Sequence, residues 1–215
     1  MGLTGTVAES LTKAFTQNTT YVATAQVWQS IHSANPAGTG ANEITAGTGA
    51  AGRQLVTFSG ASGTDTNTSL EQYVFGIGVG AVCTWVGYWT AQTGGTFLAG
   101  FPLVGPPIPS VLVGGLAAVF APSHGLVLGQ PVRLFTTPGQ PASAVPSGFT
   151  ADTVYYVNLV ASVDTLTLAA TSGGATLTPS SSGGFSMCPD LSQSFPTGGQ
   201  LVFPASTGIT WATSS

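Results

Sequence analysis

Tyr73-Val74-Phe75-Gly76-Ile77-Gly78-Val79-Gly80-Ala81-Val82-Cys83-Thr84-Trp85-Val86 carries its bulkiest residues at odd positions and glycine at 76, 78 and 80. Successive side chains of a strand point to opposite faces, so this stretch predicts one long β-strand with a bulky face and a face of nearly bare backbone. Glycine weakens a strand unless something approaches it closely. The expectation is therefore that a second sheet or another subunit packs on Gly76, Gly78 and Gly80. A nucleotide loop is the competing reading of Gly76-Ile77-Gly78-Val79-Gly80. It requires a loop that opens a helix and an acidic residue about twenty positions on. Neither follows here, and packing is the better account.

Outward from this stretch the chain is uncharged: residues 72 to 132, 61 in all, hold no Lys, Arg, Asp or Glu. Charged residues are 5% of the whole, against about a quarter in an ordinary soluble protein. Either a membrane or a permanent assembly must cover so neutral a surface. Phe97 to Phe120 is long and apolar enough for a bilayer, but Pro102, Pro106, Pro107, Pro109 and several glycines interrupt it. Those breaks would strand unpaired amides and carbonyls in hydrocarbon, and no Lys/Arg cluster flanks the segment. No membrane span is expected. The N-terminus lacks the charged start and apolar core of a signal peptide, so the chain is expected to be made in the cytosol and kept there or released by lysis.

Thirty glycines and fourteen prolines, with abundant Thr, Ser, Val and Ala and almost no Lys or Glu, describe short strands and tight turns, an all-β chain. With a net charge of −4 and Lys13, Arg53 and Arg133 as the sole cations, it offers no electrostatic footprint for nucleic acid. Cys83 and Cys188 have no metal-ligand spacing and are expected as buried thiols, with a disulfide left open by the sequence. Thr4 or Thr6 can cap a helix whose stripe is Val7, Leu11, Ala14 and Phe15, over about residues 4 to 16. Strands are expected at Tyr21 to Ser33, Arg53 to Phe58, Tyr73 to Val86, Val86 to Thr90 and, past the Thr93-Gly94-Gly95-Thr96 turn, around Phe97, Leu98 and Phe101. Gly105-Pro106-Pro107-Ile108-Pro109 reads as a semi-rigid connector. Beyond it, short strands recur at Leu126 to Val127, Pro131 to Thr136, Val154 to Val160, Leu166 to Ala169 and Ala175 to Leu177. Gln200 to Trp211 alternates again and would rejoin the first sheet. The expected fold is a β-sandwich of jelly-roll type over 1–116 plus 188–215, with one short N-terminal helix and a small β module inserted at 117–187.

Residues 1 to 103, with 200 to 211, resemble a family of bacteriophage structural proteins labelled tail fibre or minor tail proteins. The landmarks are the N-terminal helix and Val27-Trp28-Gln29-Ser30-Ile31-His32-Ser33-Ala34-Asn35-Pro36, then Gly40-Ala41-Asn42-Glu43-Ile44, Gly52-Arg53-Gln54 and Val56-Thr57-Phe58. Val86-Gly87-Tyr88-Trp89-Thr90-Ala91-Gln92-Thr93-Gly94-Gly95-Thr96-Phe97-Leu98 completes the order. The inserted part is similar to a widespread phage virion module. Its marks are Ser123-His124-Gly125-Leu126, Gly129-Gln130-Pro131-Val132, Gly148 through Val157 and Asp164-Thr165-Leu166-Thr167-Leu168. Neither resemblance implies an active site.

The residues agree. His32 and His124 are the only candidate bases, and no Gly-x-Ser-x-Gly elbow accompanies them. Glu43, Asp65, Asp152, Asp164 and Asp190 fall in or beside turns, where carboxylates serve the local backbone rather than paired acid–base work. No metal spacing occurs. The chain is read as non-enzymatic, without catalytic residue, cofactor or metal. Its expected role is a tail-associated virion protein that forms a symmetric homo-oligomer, a trimer among the options, with other virion proteins as partners. The alternatives are a capsid decoration protein and a carbohydrate-binding receptor module. In the latter, Tyr88, Trp89, Tyr155 and Tyr156, together with Trp85, would offer ring faces to a host-surface glycan.

Overall fold

The computed structural model describes residues 2–3, 26–45, 52–56, 58–61, 64–67, 71–112, 115–136, 145–203 and 208–210. These residues are all-β, as the composition predicts. The expected helix over 4–16 lies outside them.

The strands in chain order are β1 (Gly2–Leu3), β2 (Val27–His32), β3 (Gln54–Val56), β4 (Phe58–Ala61), β5 (Thr64–Asn67), β6 (Glu71–Ile77), β7 (Ala81–Cys83), β8 (Trp85–Trp89) and β9 (Phe97–Pro102). There follow β10 (Ile108–Leu112), β11 (Ala118–Phe120), β12 (Pro131–Thr136), β13 (Val154–Ser162), β14 (Thr165–Ala169) and β15 (Gly183–Pro189). The last three are β16 (Gln193–Phe195), β17 (Gly199–Phe203) and β18 (Gly208–Thr210). They form two compact units, Met1–Leu103 with Ser192–Ser215, and Val104–Leu191.

The first unit is sandwich-like. Its main sheet is antiparallel, in the order β1-β9-β8-β2-β3, and the smaller sheets are β16-β7, β17-β6 and β18-β5-β4. Ile31, Ile44, Ile77, Cys83, Phe195 and Leu201 form its core. Side chains from β2, β6, β7, β16 and β17 thus share one apolar cluster, which holds the separate sheets together by removing their inner faces from water. The chain's return after residue 191 supplies partners for strands laid down more than a hundred residues earlier: β16 lies antiparallel to β7 and β17 to β6.

The single strand expected from Tyr73 to Val86 is instead three strands. β6 ends at Ile77, Gly78 to Gly80 turn the chain, and β7 begins at Ala81. The Ala81 amide donates to the Gly78 carbonyl at 3.1 Å, and Gly80 takes a φ of +83°. Gly76 lies in β6, Gly78 follows it and Gly80 is in the turn, so the three do not line one face of a strand. Alternation alone could not reveal this, because a glycine that bares one face and a glycine that permits positive φ read alike in sequence.

The second unit is a closed six-stranded antiparallel barrel in the order β10-β11-β14-β13-β12-β15, with β15 pairing back to β10. Closure leaves no open edge. Leu112, Val119, Val132, Leu134, Leu166, Leu168, Phe185 and Met187 are fully buried inside it. On β14 the alternation is regular, Leu166 and Leu168 pointing in between half-buried Thr165 and Thr167. On β12, Val132 and Leu134 point in, so Arg133 belongs to the opposite face, yet it is buried as well. Its Nη1 bonds Asp152 Oδ1 at 3.0 Å and its Nε lies 2.9 Å from Asp190 Oδ1. Asp152 sits in the turn before β13 and Asp190 just past β15, so one guanidinium ties a turn and a strand end to the barrel wall.

The barrel's two ends meet, with a bridge between Val104 and Asp190 and a hydrogen bond from the Gly105 amide to the Pro189 carbonyl at 2.8 Å. Residues 104–191 expressed alone should therefore unfold as one cooperative unit in urea. Phe185→Ala in that fragment should lower its stability by about 3–5 kcal/mol, the usual cost of emptying a buried aromatic site.

Candidate functional site

The densest polar chemistry among the described residues lies in the first unit, where β2 and β8 pair with Trp28 opposite Trp89 and His32 opposite Trp85. His32 is fully buried; its Nδ1 is 2.7 Å from the Ala41 carbonyl and its Nε2 is 2.7 Å from Ser30 Oγ. Trp89 Nε1 donates to the same Ser30 Oγ at 2.8 Å. A carbonyl only accepts and an indole N–H only donates. The proton must therefore sit on Nδ1, and the Ser30 hydroxyl donates to Nε2. The result is a relay from Trp89 through Ser30 and His32 to Ala41, with a neutral ring at its centre.

Two glycines make room for it. A Cβ on Gly87 would overlap His32 Nε2, Ser30 Oγ and Phe97, and one on Gly40, whose φ is +75°, would overlap the Trp89 and Phe97 rings. The loop after β2 consequently lies flat on the sheet. It is held there by hydrogen bonds from the Ser33 amide to Asn42 O and from the Ile44 amide to Ile31 O.

Arg53, just before β3, closes the arrangement. Nε and Nη2 form a fork on the two carboxylate oxygens of Glu43, each at 2.8 Å. Nη1 reaches the carbonyls of Ala91 and Gly94, and the guanidinium lies 3.4 Å from the Trp89 ring centroid. A planar, five-donor cation can satisfy two carboxylate oxygens and two carbonyls while stacking on an indole; an ammonium cannot. The side chain is thereby the clamp between the loop of Glu43 and the hairpin turn of Ala91 to Gly95.

Ser30 and His32 have the separation of a nucleophile and its base. Both are buried, and Ser30 Oγ is already engaged by Trp89. No substrate carbonyl can reach that oxygen, and the arrangement is a brace. His124, in the second unit, accepts the Leu126 amide on Nδ1 at 2.9 Å and places Nε2 3.2 Å from the Ser162 carbonyl, which fixes the loop ahead of β12. Cys83 and Cys188 are both buried and free, and burial pushes their thiols up to about 12 and about 11. Neither forms thiolate at neutral pH. Among the described residues, no group of His, Cys, Asp and Glu could hold a metal ion, and no helix is long and apolar enough to cross a membrane.

The rings expected to face a glycan are placed differently from one another. Trp89 is buried beneath Arg53, and Tyr155 is buried edge-on against Phe149 with its hydroxyl accepting the Thr150 amide. Trp85 is buried as well. These three offer no face to a sugar, because a ring buried in packing has its surface already occupied. Tyr88 and Tyr156 are half-buried, on β8 and β13. Sequence reasoning missed the clamp of Arg53. The signal was present: a rare cation in a nearly ion-free chain, ten positions after a rare acid.

Burial lowers the pKa of His32 below its ordinary 6.5. The unfolded chain then takes up a proton that the folded chain refuses, so the stabilisation is complete above pH 6.5 and is lost as the pH falls through and below it, at up to about 1.4 kcal/mol per pH unit. Urea midpoints of the first unit, followed by tryptophan fluorescence between pH 7.5 and 5, should show this decline, and His32→Gln should flatten it. Arg53→Lys keeps the charge but not the fork, and should destabilise the same unit by about 1.5–3 kcal/mol, the value of hydrogen bonds to a charged group.

Residues 2–107, just under half of the chain, match the family model described as Podophage GP4 fiber I protein gp80, which supports a phage tail fibre family. No curated protein matches the chain.

Proposed function

We propose that this chain, with its first unit matched by a phage fibre family, is a non-catalytic structural part of a phage tail that works as a symmetric homo-oligomer among other virion proteins. The observation that carries the reading is the fibre-family match over residues 2–107. The shortage of ions supports it: 10 charged side chains on 215 residues leave little charge to keep separate copies apart. The buried relay and the Arg53 clamp suit a structural part, because they fix turns onto the sheet instead of presenting reactive groups.

In this reading the protein assembles in the host cytoplasm, leaves by lysis within the particle and serves where the tail meets the host. The fibre match favours the tail over the capsid shell. Sedimentation equilibrium of the purified chain should give a mass that is a whole-number multiple of 21.4 kDa. A single 21.4 kDa species at every concentration would overturn the self-assembly. Labelled antibody on intact particles, viewed by electron microscopy, should decorate the tail; label spread over the shell would overturn the location.

A further inference from the structure

The loop over residues 33–44 meets the main sheet through few contacts. His32 Nδ1 donates to the Ala41 carbonyl at 2.7 Å, Pro36 lies over the bare backbone of Gly100, and Gly40 lies over Trp89 and Phe97. The fourth tie is Glu43, whose carboxylate takes the Arg53 fork. Through the same guanidinium the Ala91 and Gly94 carbonyls are held, so the loop and the hairpin turn share one fastening. Ala37 to Thr39 and Gln92 to Gly95 are exposed, and what keeps both segments in place sits beneath them.

That fastening depends on a single proton count. In the neutral relay Trp89 donates to Ser30 Oγ, Ser30 donates to His32 Nε2 and His32 Nδ1 donates to Ala41. A second proton on the ring turns Nε2 from acceptor into donor. Ser30 Oγ then meets two donors, and its own proton has to leave the relay. The ring is fully buried, so the new charge is also cut off from water. Two charges act on it: Glu43, bridged to His32 along the backbone, favours the imidazolium, and Arg53 opposes it. These two already pair with each other at 2.8 Å. Protonation therefore sets two cations in contest for one carboxylate. From β8 and β9 the ring meets Trp85, Trp89 and Phe97, which carry no charge. The Cys83 thiol of β7, against the His32 backbone, is pushed up to about 12 and stays neutral.

We propose that His32 is an acid-operated latch: a second proton on its ring releases the 33–44 loop and, through Glu43 and Arg53, the Ala91–Gly95 turn, while β2, β8 and β9 stay paired. The strands are joined by backbone ladders that no proton alters, whereas the loop and the turn hang on the three ionisable side chains. Opening wets the ring, which then takes up a proton as an ordinary histidine, so acid draws the open form by mass action. Because burial lowers the folded pKa below 6.5, the latch is fully closed above pH 6.5 and weakens as the pH falls below it. The device works within one copy and is independent of self-assembly.

Amide hydrogen exchange of the full chain, read by mass spectrometry from about pH 7.5 to about pH 5 and corrected for the intrinsic rate, tests it. The reporting amides are Ser33, Ala37 and Ala41 in the loop and Thr90 and Thr96 at the turn, each hydrogen-bonded in the closed form. The expected result is that loop and turn lose protection together below pH 6.5, by up to about tenfold per pH unit. Their exchange should be unchanged by dilute urea, since a local opening exposes little surface. In His32→Gln, shown folded by near-UV circular dichroism, their protection should not vary with pH. Protection that is flat in the parent, or that falls equally in His32→Gln, would overturn the latch. Urea-accelerated exchange of loop and strands alike would mark global unfolding and overturn it too, and a turn that stays closed while the loop opens would overturn the link through Glu43 and Arg53. Should His32→Gln not fold, deuterium uptake at the His32 imidazole C2 in the parent gives the ring's own titration. The loss of protection should level off at that midpoint, and a loss that runs on past it would overturn the assignment to His32.

Discussion

Two guanidinium groups organise this molecule, one in each unit: Arg133 is buried and Arg53 is largely covered. Arg53 holds Glu43 and two carbonyls of the Ala91–Gly95 turn while covering Trp89; Arg133 holds Asp152 and Asp190 against the barrel wall. A buried cation is tolerable only with its partners in place, since its desolvation must be offset by good geometry. Each therefore compels segments far apart in sequence to converge. The turns they hold lie over aromatic or aliphatic packing that would otherwise meet water. Two of the chain's three cations are thus committed to internal ion pairs, which leaves few charges among the described residues to face the exterior.

That exterior links fold to function. Closure removes the edge strands of the barrel, and the exposed side chains among the described residues are mainly Thr, Ser, Gly and aliphatics. Such a surface resists neither a neighbour nor water strongly, which suits a part held permanently among others and suits poorly a freely diffusing protein. The His32 relay fits the same description. It converts the one residue type that titrates near neutral pH into a neutral structural link, protected by the absence of a side chain at Gly87.

Much of the strand pattern was legible. Pro131–Thr136 forms the strand that its composition predicts, and Thr165–Ala169 shows the alternation of Thr and Leu that the sequence carries. Ile108–Leu112 and Gly183–Pro189 were not legible as strands, because Pro109 and the paired glycines 183 and 184 discourage that reading locally. Their mutual pairing, which closes the barrel, outweighs those local preferences. Leu126 to Val127, expected as a strand, belongs to the loop beside β13, and Ala175 to Leu177 contributes a single bridge, Thr176 to Ala169. In the candidate site, the proximity of Trp89, Ser30 and His32 could not be read, since it depends on the register of β2 against β8.

From residues alone came the all-β class, the lack of an electrostatic grip for nucleic acid and the resemblance to phage fibre proteins, because composition, charge and landmark order are properties of the chain as written. Only the tertiary structure decided that Gly78 and Gly80 leave the strand, that Arg53 and Arg133 meet their carboxylate partners, and that Ile108–Leu112 pairs with Gly183–Pro189 to close the barrel. Those outcomes depend on which strands pair and in what register. Pairing is chosen by the total burial and hydrogen bonding of distant segments, a sum that no local stretch contains.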